Sequence, residues 1–441
     1  MPKTRPMRHE PQTHTVATRS PPQSQSGLLE LAVISLLVGC AVGLVCGLFR
    51  LSLEHAEIWR NGFLAWMHHW NLAGMLGVSV TSAVAVALAA WLVRRFAPLA
   101  SGSGIPHVEV VLNEELPPAP PQLILVKFLG GLLAIGSGLA LGREGPSVQM
   151  GASLGYLLGG SFRRNAPDCR LLLAAGAGAG LAVAFNAPIA GAIFVLEELT
   201  RRFDTRTAIV TFGASASAIA VGRILFGTAP DFQVISLPDA GFGCLPVCLV
   251  LGVIAGLVGV AYNRTVLALL AGANGLTHLP VEVRAAAVGA AVGLLGWFAP
   301  GLLGGGAQIT QQALTGTEGS GLLVAVFLLR FALGPVSYAA GTPGGLFAPL
   351  LVLGAQGGLL FHDIAQHWFP NLAGEPISYA VTGMAAFFTA VVRAPLTGIV
   401  LVVELTDCNT QLLPMLAACF AAMLVPTLLD NPPIYDSLQK R

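Results

Sequence analysis

The sequence predicts an all-α membrane protein, and its composition is the first reason. Of the 441 residues, 54% are hydrophobic and only 10% are charged, whereas soluble domains carry about 25% charged residues. The mean hydropathy is +0.74. The formal net charge is +1 and the basic residues are scattered along the chain, which excludes nucleic-acid binding as a function class.

The distribution of apolar residues is the second reason. Residues 1–27 are polar, and we expect them to form a disordered cytoplasmic tail. Residues 28–437 follow as a transmembrane domain. Because a helix needs about 20 residues to cross a bilayer, this domain has room for well over ten helices. Residues 438–441 form a short cytoplasmic end, so we expect no appended soluble domain.

Basic residues at the ends of apolar runs predict the orientation. They occur in the N-terminal tail, at 163–170, at 201–206 and at Lys440-Arg441. All of these should face the cytoplasm. We therefore expect a multi-pass protein of the cell (inner) membrane with both termini in the cytoplasm.

Neither the cysteines nor the histidines predict a metal site. The seven cysteines lie mostly inside apolar runs, as is typical of free buried Cys. His68 and His69 are adjacent, and His362 and His367 are five residues apart rather than the four of a zinc-binding helix. We expect no metal and no cofactor.

An internal repeat divides the domain into halves of about 28–225 and 240–430. Residues 174–197 align without gaps to residues 381–404. The matched positions are Gly176 with Gly383, Ala187-Pro188 with Ala394-Pro395, Gly191 with Gly398 and Glu197 with Glu404. Two related halves with interrupted helices are typical of transporters whose substrate binds between the repeats.

Four short elements interrupt the apolar region. They are GSGIPHVE (102–109), GREGPSVQ (142–149), GTPGGLFAP (341–349) and NPPIYDS (431–437). In the first three, Gly and Pro stop one element and an apolar helix starts immediately afterwards. A helix start offers free backbone N–H groups and the positive end of the helix dipole to an anion. We predict that these three breaks converge on an anion site, whereas any single one could be a packing kink.

Glu144 lies in the second break, with apolar residues on both sides. A charge there is costly, which makes the residue a functional candidate; a salt bridge to the adjacent Arg143 is the alternative. If Gly145–Phe162 is one helix that ends at the cytoplasmic face, its rise places Glu144 about 27 Å from that face.

Glu197 and Glu198 end the first repeat copy. Glu197 has a repeat partner in Glu404, so a structural role, such as capping a helix, accounts for it. Glu198 stands opposite Leu405, so we predict a function specific to this half; a solvated helix end paired with an arginine is the alternative. Two carboxylates at different depths, Glu144 and Glu198, suit a proton route through the membrane.

The chain closely resembles the CLC family of chloride channels and chloride/proton exchangers. The resemblance rests on four motifs in this order: GSGIP, GREGP, the G-x-P-G-G-x-F-A-P break and the tyrosine of the last helix. The resemblance covers essentially all of 28–437. It implies a bundle of about eighteen helices, many of them not fully spanning, built from two inverted halves. It also implies a homodimer in the lipid bilayer with a separate pore in each subunit.

The resemblance further implies an anion site. The hydroxyls of Ser103 and Tyr435 and the backbone N–H groups of Leu346 and Phe347 would hold the anion. Serine at 103 is similar to chloride-preferring members, whereas nitrate-preferring plant members resemble GPGIP there. Ser103 and Pro146 also differ from the pattern of fluoride exporters, so chloride is favoured.

The same resemblance implies functional roles for Glu144 and Glu198. Glu144 would be the outer gate, whose carboxylate competes with the anion and swings away when protonated, and Glu198 would be the internal acid that hands protons toward the cytoplasm. An acid at 198 favours a chloride/proton antiporter, and a passive chloride channel is the alternative. Two further alternatives are an organic-anion transporter and an intramembrane serine hydrolase using Ser103 with His362, although the Gly-x-Ser elbow of such a hydrolase is missing.

Overall fold

The computed structural model describes residues 25–234, 237, 242–316, 320–368 and 374–440, and these residues are overwhelmingly helical. Most of the expected tail, residues 1–24, lies outside the described residues. Its last three residues already belong to the first helix, which begins at Gln25. The described part of the chain contains no β-strand, only two isolated β-bridges.

Seventeen α-helices are found among the described residues, in line with the expected all-α bundle. They are α1 (Gln25–Met67), α2 (Asn71–Phe96), α3 (Ile105–Leu112), α4 (Gln122–Gly136), α5 (Glu144–Ser161), α6 (Ala166–Phe185), α7 (Pro188–Phe194), α8 (Thr205–Phe226), α9 (Leu245–Gly275), α10 (Val281–Phe298), α11 (Ala307–Thr315), α12 (Ser320–Tyr338), α13 (Phe347–Trp368), α14 (Pro376–Val392), α15 (Pro395–Thr406), α16 (Leu412–Leu428) and α17 (Ile434–Gln439).

The helices differ widely in length. Among the residues that the structure describes, seven apolar helical segments are long enough to cross a membrane. Four others, α4, α14, α15 and α16, are apolar but have only 10–17 residues. This mixture agrees with the prediction that many helices do not fully span.

The two aligned segments of the internal repeat have the same local structure. In the first copy α6 stops at Asn186, whose φ of 52° is left-handed, and α7 starts at Pro188. In the second copy α14 stops at Arg393, with φ 74°, and α15 starts at Pro395. Proline is well suited to the first turn of a helix, where its missing N–H costs nothing.

Matched glycines let helices of both halves approach closely. A Cβ added to Gly151 of α5 would lie 2.2 Å from the carbonyl oxygen of Gly176 in α6. In the second half, a Cβ on Gly354 of α13 would lie 2.5 Å from the carbonyl oxygen of Gly383 in α14. Small residues at helix contacts are the usual means of tight packing in membranes.

The two halves are bonded to each other through Glu197 and Glu404. Oε1 of Glu197 accepts a hydrogen bond from the N–H of Leu396 at 3.0 Å, and Oε2 accepts bonds from the N–H and the hydroxyl of Thr397 at 2.7 and 2.8 Å. Glu404 reciprocates by accepting from two N–H groups at the start of α7, at 3.0 and 2.7 Å. The prediction of a structural, backbone-bonding role for Glu197 is therefore confirmed.

Candidate anion pathway

The first three glycine breaks meet near one another. Gly102 forms a parallel bridge with Pro343, and Gly142 forms an antiparallel bridge with Gly345. Both bonds of the second bridge measure 2.8 Å. A Cβ added to Gly145 would lie 2.8 Å from Ser103, so the second break also packs on the first. The predicted convergence is confirmed for these three breaks.

Three helices begin at this junction. They are α3 at Ile105, α5 at Glu144 and α13 at Phe347. Because the first N–H groups of a helix have no acceptor within that helix, each start presents partial positive charge to its surroundings. The junction therefore has the electrostatics of an anion site, and it includes the backbone of Leu346 and Phe347.

Ser103 is fully buried in the turn that leads into α3. Gly104, with φ 82°, precedes the helix in a left-handed conformation that glycine adopts without cost. The N–H of Ser103 donates to the hydroxyl of Tyr338 at 3.3 Å, and its own Oγ accepts from the N–H of Ile105 at 3.3 Å. Tyr338 was not among the residues predicted from the sequence, although it lies only three residues before the third break.

Tyr435 enters the junction from the last helix. The prolines of the fourth break, Pro432 and Pro433, precede α17, and Tyr435 is its second residue. Its ring lies 6.0 Å from that of Phe347, nearly parallel. The side chain is fully buried, and its hydroxyl has no hydrogen-bond partner among the described residues. Since buried hydroxyls normally have partners, this hydroxyl is available to a ligand.

Glu144 turns its carboxyl group onto the start of α13. The carboxyl accepts hydrogen bonds from the N–H of Ala348 and from its own N–H. Its Oε2 is buried without a partner in the described part of the chain, against the α-carbon of Gly142. A carboxylate thus occupies a helix start at which an anion could bind.

Arg143 does not supply the ion pair considered as an alternative for Glu144. Its Nη2 lies 3.0 Å from Asp231 and its Nη1 lies 3.6 Å from Glu54. Its Nε donates to the carbonyl oxygen of Ala184 at 2.9 Å. These contacts hold the guanidinium beside the break.

Glu197 and Glu198 lie in a π-helical turn, Val195–Leu199, that continues α7. Such turns are rare and often mark functional sites. Glu197 bonds to α15, whereas Glu198 is 4% exposed and its Oε1 has no partner among the described residues. The nearby Arg201 pairs with Asp436 at 2.8 Å, so Glu198 is not the solvated, arginine-paired residue of the alternative interpretation.

A second buried acid, Glu109 of α3, belongs to the same cluster and was missed by sequence reasoning. It is 4% exposed, and its Oε1 has no partner in the described residues. Its Oε2 accepts a hydrogen bond from Gln439 of α17. The sequence does show Glu109 as an acid inside the first break, and this could have marked it as a candidate.

Lys127 of α4 lies behind the first break and was also missed. It is fully buried. Its ammonium group donates to the carbonyl oxygens of Ala100 and Gly102 at 3.0 and 2.8 Å. It fixes the turn that presents Ser103.

His362 does not join Ser103. It lies 15 residues after the start of α13 at Phe347, about 22 Å along the helix at 1.5 Å per residue. Its contacts are with Gly374, Asp363 and the ring of Tyr379. The geometry gives no support to a serine hydrolase.

Comparison with known proteins agrees with this architecture. The family model described as voltage gated chloride channel matches residues 85–427. The chain is 37% identical over 423 residues to the H(+)/Cl(-) exchange transporter ClcA of Salmonella paratyphi B, covering 92% of this chain and 88% of the relative. The transporter of the same name from Klebsiella pneumoniae is 37% identical over 425 residues, covering 94% and 89%. The solved structure of a slow cyanobacterial Cl-/H+ antiporter superposes with a TM-score of 0.88 at 32% identity, covering 93% of this chain and 97% of the other.

Proposed function

We propose that this chain, which belongs to the voltage-gated chloride channel family, is a chloride/proton antiporter of the inner membrane with both termini in the cytoplasm. Its relatives named H(+)/Cl(-) exchange transporter support exchange rather than passive flow. The observation that carries the proposal is Glu198, a buried carboxyl with an unbonded oxygen at a position where the other repeat has leucine.

The anion is held at the junction of the breaks. The hydroxyls of Ser103 and Tyr435 and the N–H groups of Leu346 and Phe347 are its donors. The unbonded hydroxyl of Tyr435 and the helix starts support this assignment. Serine at 103 supports chloride as the substrate.

Glu144 is the gate. Its carboxylate accepts the N–H of Ala348, one residue beyond Phe347, and so competes with chloride for the start of α13. Protonation removes its negative charge and weakens this bond, because hydrogen bonds to ionised groups are roughly twice as strong as neutral ones. The carboxyl group then leaves and chloride enters.

Glu198 exchanges protons with the cytoplasm. It adjoins Arg201 and Asp436, which are partly exposed, so water can reach its surroundings. Between Glu198 and Glu144, the proton crosses on transient water molecules or while the anion is bound. We also propose a homodimer with one pore in each subunit.

The experiment uses purified protein in liposomes, with chloride and pH electrodes recording together. An outward chloride gradient should drive protons inward against their own gradient. Glu144→Gln should carry chloride without protons, because it imitates a permanently protonated gate. Glu198→Gln should also lose proton movement while chloride still moves.

Two outcomes contradict parts of the proposal. Chloride flux with no proton movement in the unaltered protein would identify the alternative, a passive chloride channel on the same scaffold. Chloride-driven proton uptake that persists in Glu144→Gln would refute the gate.

A further inference from the structure

Two guanidinium groups share one carboxylate beside the gate. Nη2 of Arg50 lies 2.9 Å from Oδ1 of Asp231, and Nη2 of Arg143 lies 3.0 Å from Oδ2. The exposed fractions of the three side chains are 12%, 22% and 10% for Arg50, Arg143 and Asp231. The carboxylate of Asp231 is therefore nearly enclosed between two positive charges.

Asp231 reaches this site on a segment that follows α8. The segment is fastened on either side of Asp231: Asn186 donates its side-chain N–H to the carbonyl oxygen of Ala229 at 2.9 Å, and the N–H of Phe232 donates to the carbonyl oxygen of Leu405 at 3.0 Å. Gln233 then forms two hydrogen bonds with the side chain of Gln311, at 2.9 and 2.8 Å. These hydrogen bonds on both sides of Asp231 hold the aspartate over the cavity.

Asp231 and Glu144 face the same cavity of about 280 Å³. Glu144 is 2% exposed, whereas the side chains of Arg50 and Arg143 are 12% and 22% exposed, so the guanidinium groups lie nearer to solvent than the carboxyl group of Glu144. Asp231 lies between the arginines of the same cavity. An anion that approaches Glu144 through this cavity passes the two guanidinium groups first.

We propose that Arg50 and Arg143 form a second anion site outside Glu144, for which the chain's own Asp231 competes with chloride. The inference rests on the proposed chloride transport but not on proton coupling. The reason is electrostatic. Two guanidinium groups attract one monovalent anion, and the carboxylate of Asp231 takes that place when chloride is absent.

The other charges of the cavity do not fill this site. Glu54 is 3.0 Å from Arg50 and 3.6 Å from Arg143, but its side chain is 43% exposed and screened by water. Glu57 pairs instead with Arg60 at 3.2 Å. When Asp231 is displaced, the two guanidinium groups share only the exposed Glu54, so the site keeps a net positive charge.

The test measures the rate of chloride transport against the chloride concentration on the Glu144 side of the protein. Asp231→Asn removes the competing charge with little change in size. The half-saturating chloride concentration should fall about three- to fivefold, the range of a partly screened charge pair. Adding Arg50→Gln to Asp231→Asn should restore it. The readout is chloride flux, so it remains valid even if proton coupling proves absent.

Glu57→Gln is the matched control, because it removes one negative charge from the same cavity without touching Arg50 or Arg143. An equal effect in this control, or an unchanged half-saturating concentration in Asp231→Asn, overturns the proposal. A second measurement is phenylglyoxal labelling of Arg50 and Arg143, mapped by mass spectrometry, in Asp231→Asn, where no carboxylate of residue 231 competes with chloride for the guanidinium groups. High chloride should slow the labelling of this variant relative to gluconate, and equal labelling in both anions also overturns the proposal.

Discussion

Replacing Glu197 by glutamine should destabilise the protein without affecting proton coupling directly. The carboxylate receives three hydrogen bonds at the start of α15, one on Oε1 and two on Oε2. Glutamine keeps one acceptor oxygen. In place of the other it presents an N–H₂ group to the N–H of Thr397, and two donors repel each other.

The contacts give the size of the effect. A hydrogen bond to a charged group contributes about 1.5–3 kcal/mol, and a negative charge at a helix start adds about 0.3–1 kcal/mol. Glutamine loses the bond from the Thr397 N–H and the charge, while the hydroxyl of Thr397 can turn to accept from the new amide. We therefore expect a loss of about 2–4 kcal/mol in the free energy of unfolding. Glu404→Gln likewise loses one of its two N–H bonds and the charge, so it should lose a similar amount.

The assay is thermal unfolding in detergent, followed by flux measurements in liposomes on the fraction that folds. Glu197→Gln and Glu404→Gln should both unfold at a lower temperature than the unaltered protein, and Glu198→Gln should be close to the unaltered protein because Oε1 of Glu198 has no bond to lose. Folded Glu197→Gln should still couple chloride to protons, whereas Glu198→Gln should not. Loss of coupling only in Glu197→Gln, or equal stability of all three variants, would refute the reasoning.

Three further substitutions test the anion site and the gate. Gly142→Ala would place a methyl group 1.8 Å from Oε2 of Glu144, so the carboxyl group should be displaced and fewer protons should move per chloride; Gly160→Ala, with open space around its Cβ, should leave this ratio unchanged. Ser103→Pro should shift the preference toward nitrate in competitive flux measurements. Tyr435→Phe removes one donor to the anion and should weaken chloride binding about tenfold or more by calorimetry; unchanged binding would place the anion elsewhere.

The breaks and the repeat could be predicted because their causes are local. Each of the first three breaks combines Gly and Pro within a few residues, which disfavours a continuous helix, and the alignment of 174–197 with 381–404 distinguishes Glu197 from Glu198 before any contact is known. The bonds from Glu197 to α15 agree with that distinction.

The partners of several buried charges could not be predicted, because they are distant in sequence. Arg50 and Asp231 are 181 residues apart, and Arg143 and Asp231 are 88 apart. Lys127 reaches back 25 residues to Gly102. One sequence shows that such charges are expensive in an apolar region, but it does not show which distant group compensates each of them.

The bridges at the junction have a consequence for how the protein is synthesised. The backbone of Gly102 pairs with Pro343, about 240 residues later, and Gly142 pairs with Gly345, about 200 residues later. At roughly 5–20 residues per second, the first half waits on the order of 10–50 s for these partners to leave the ribosome. During that interval its breaks carry unpaired N–H groups inside the membrane, where such groups are costly. The junction of the three breaks is therefore complete only once the third break and α13 have been synthesised and inserted.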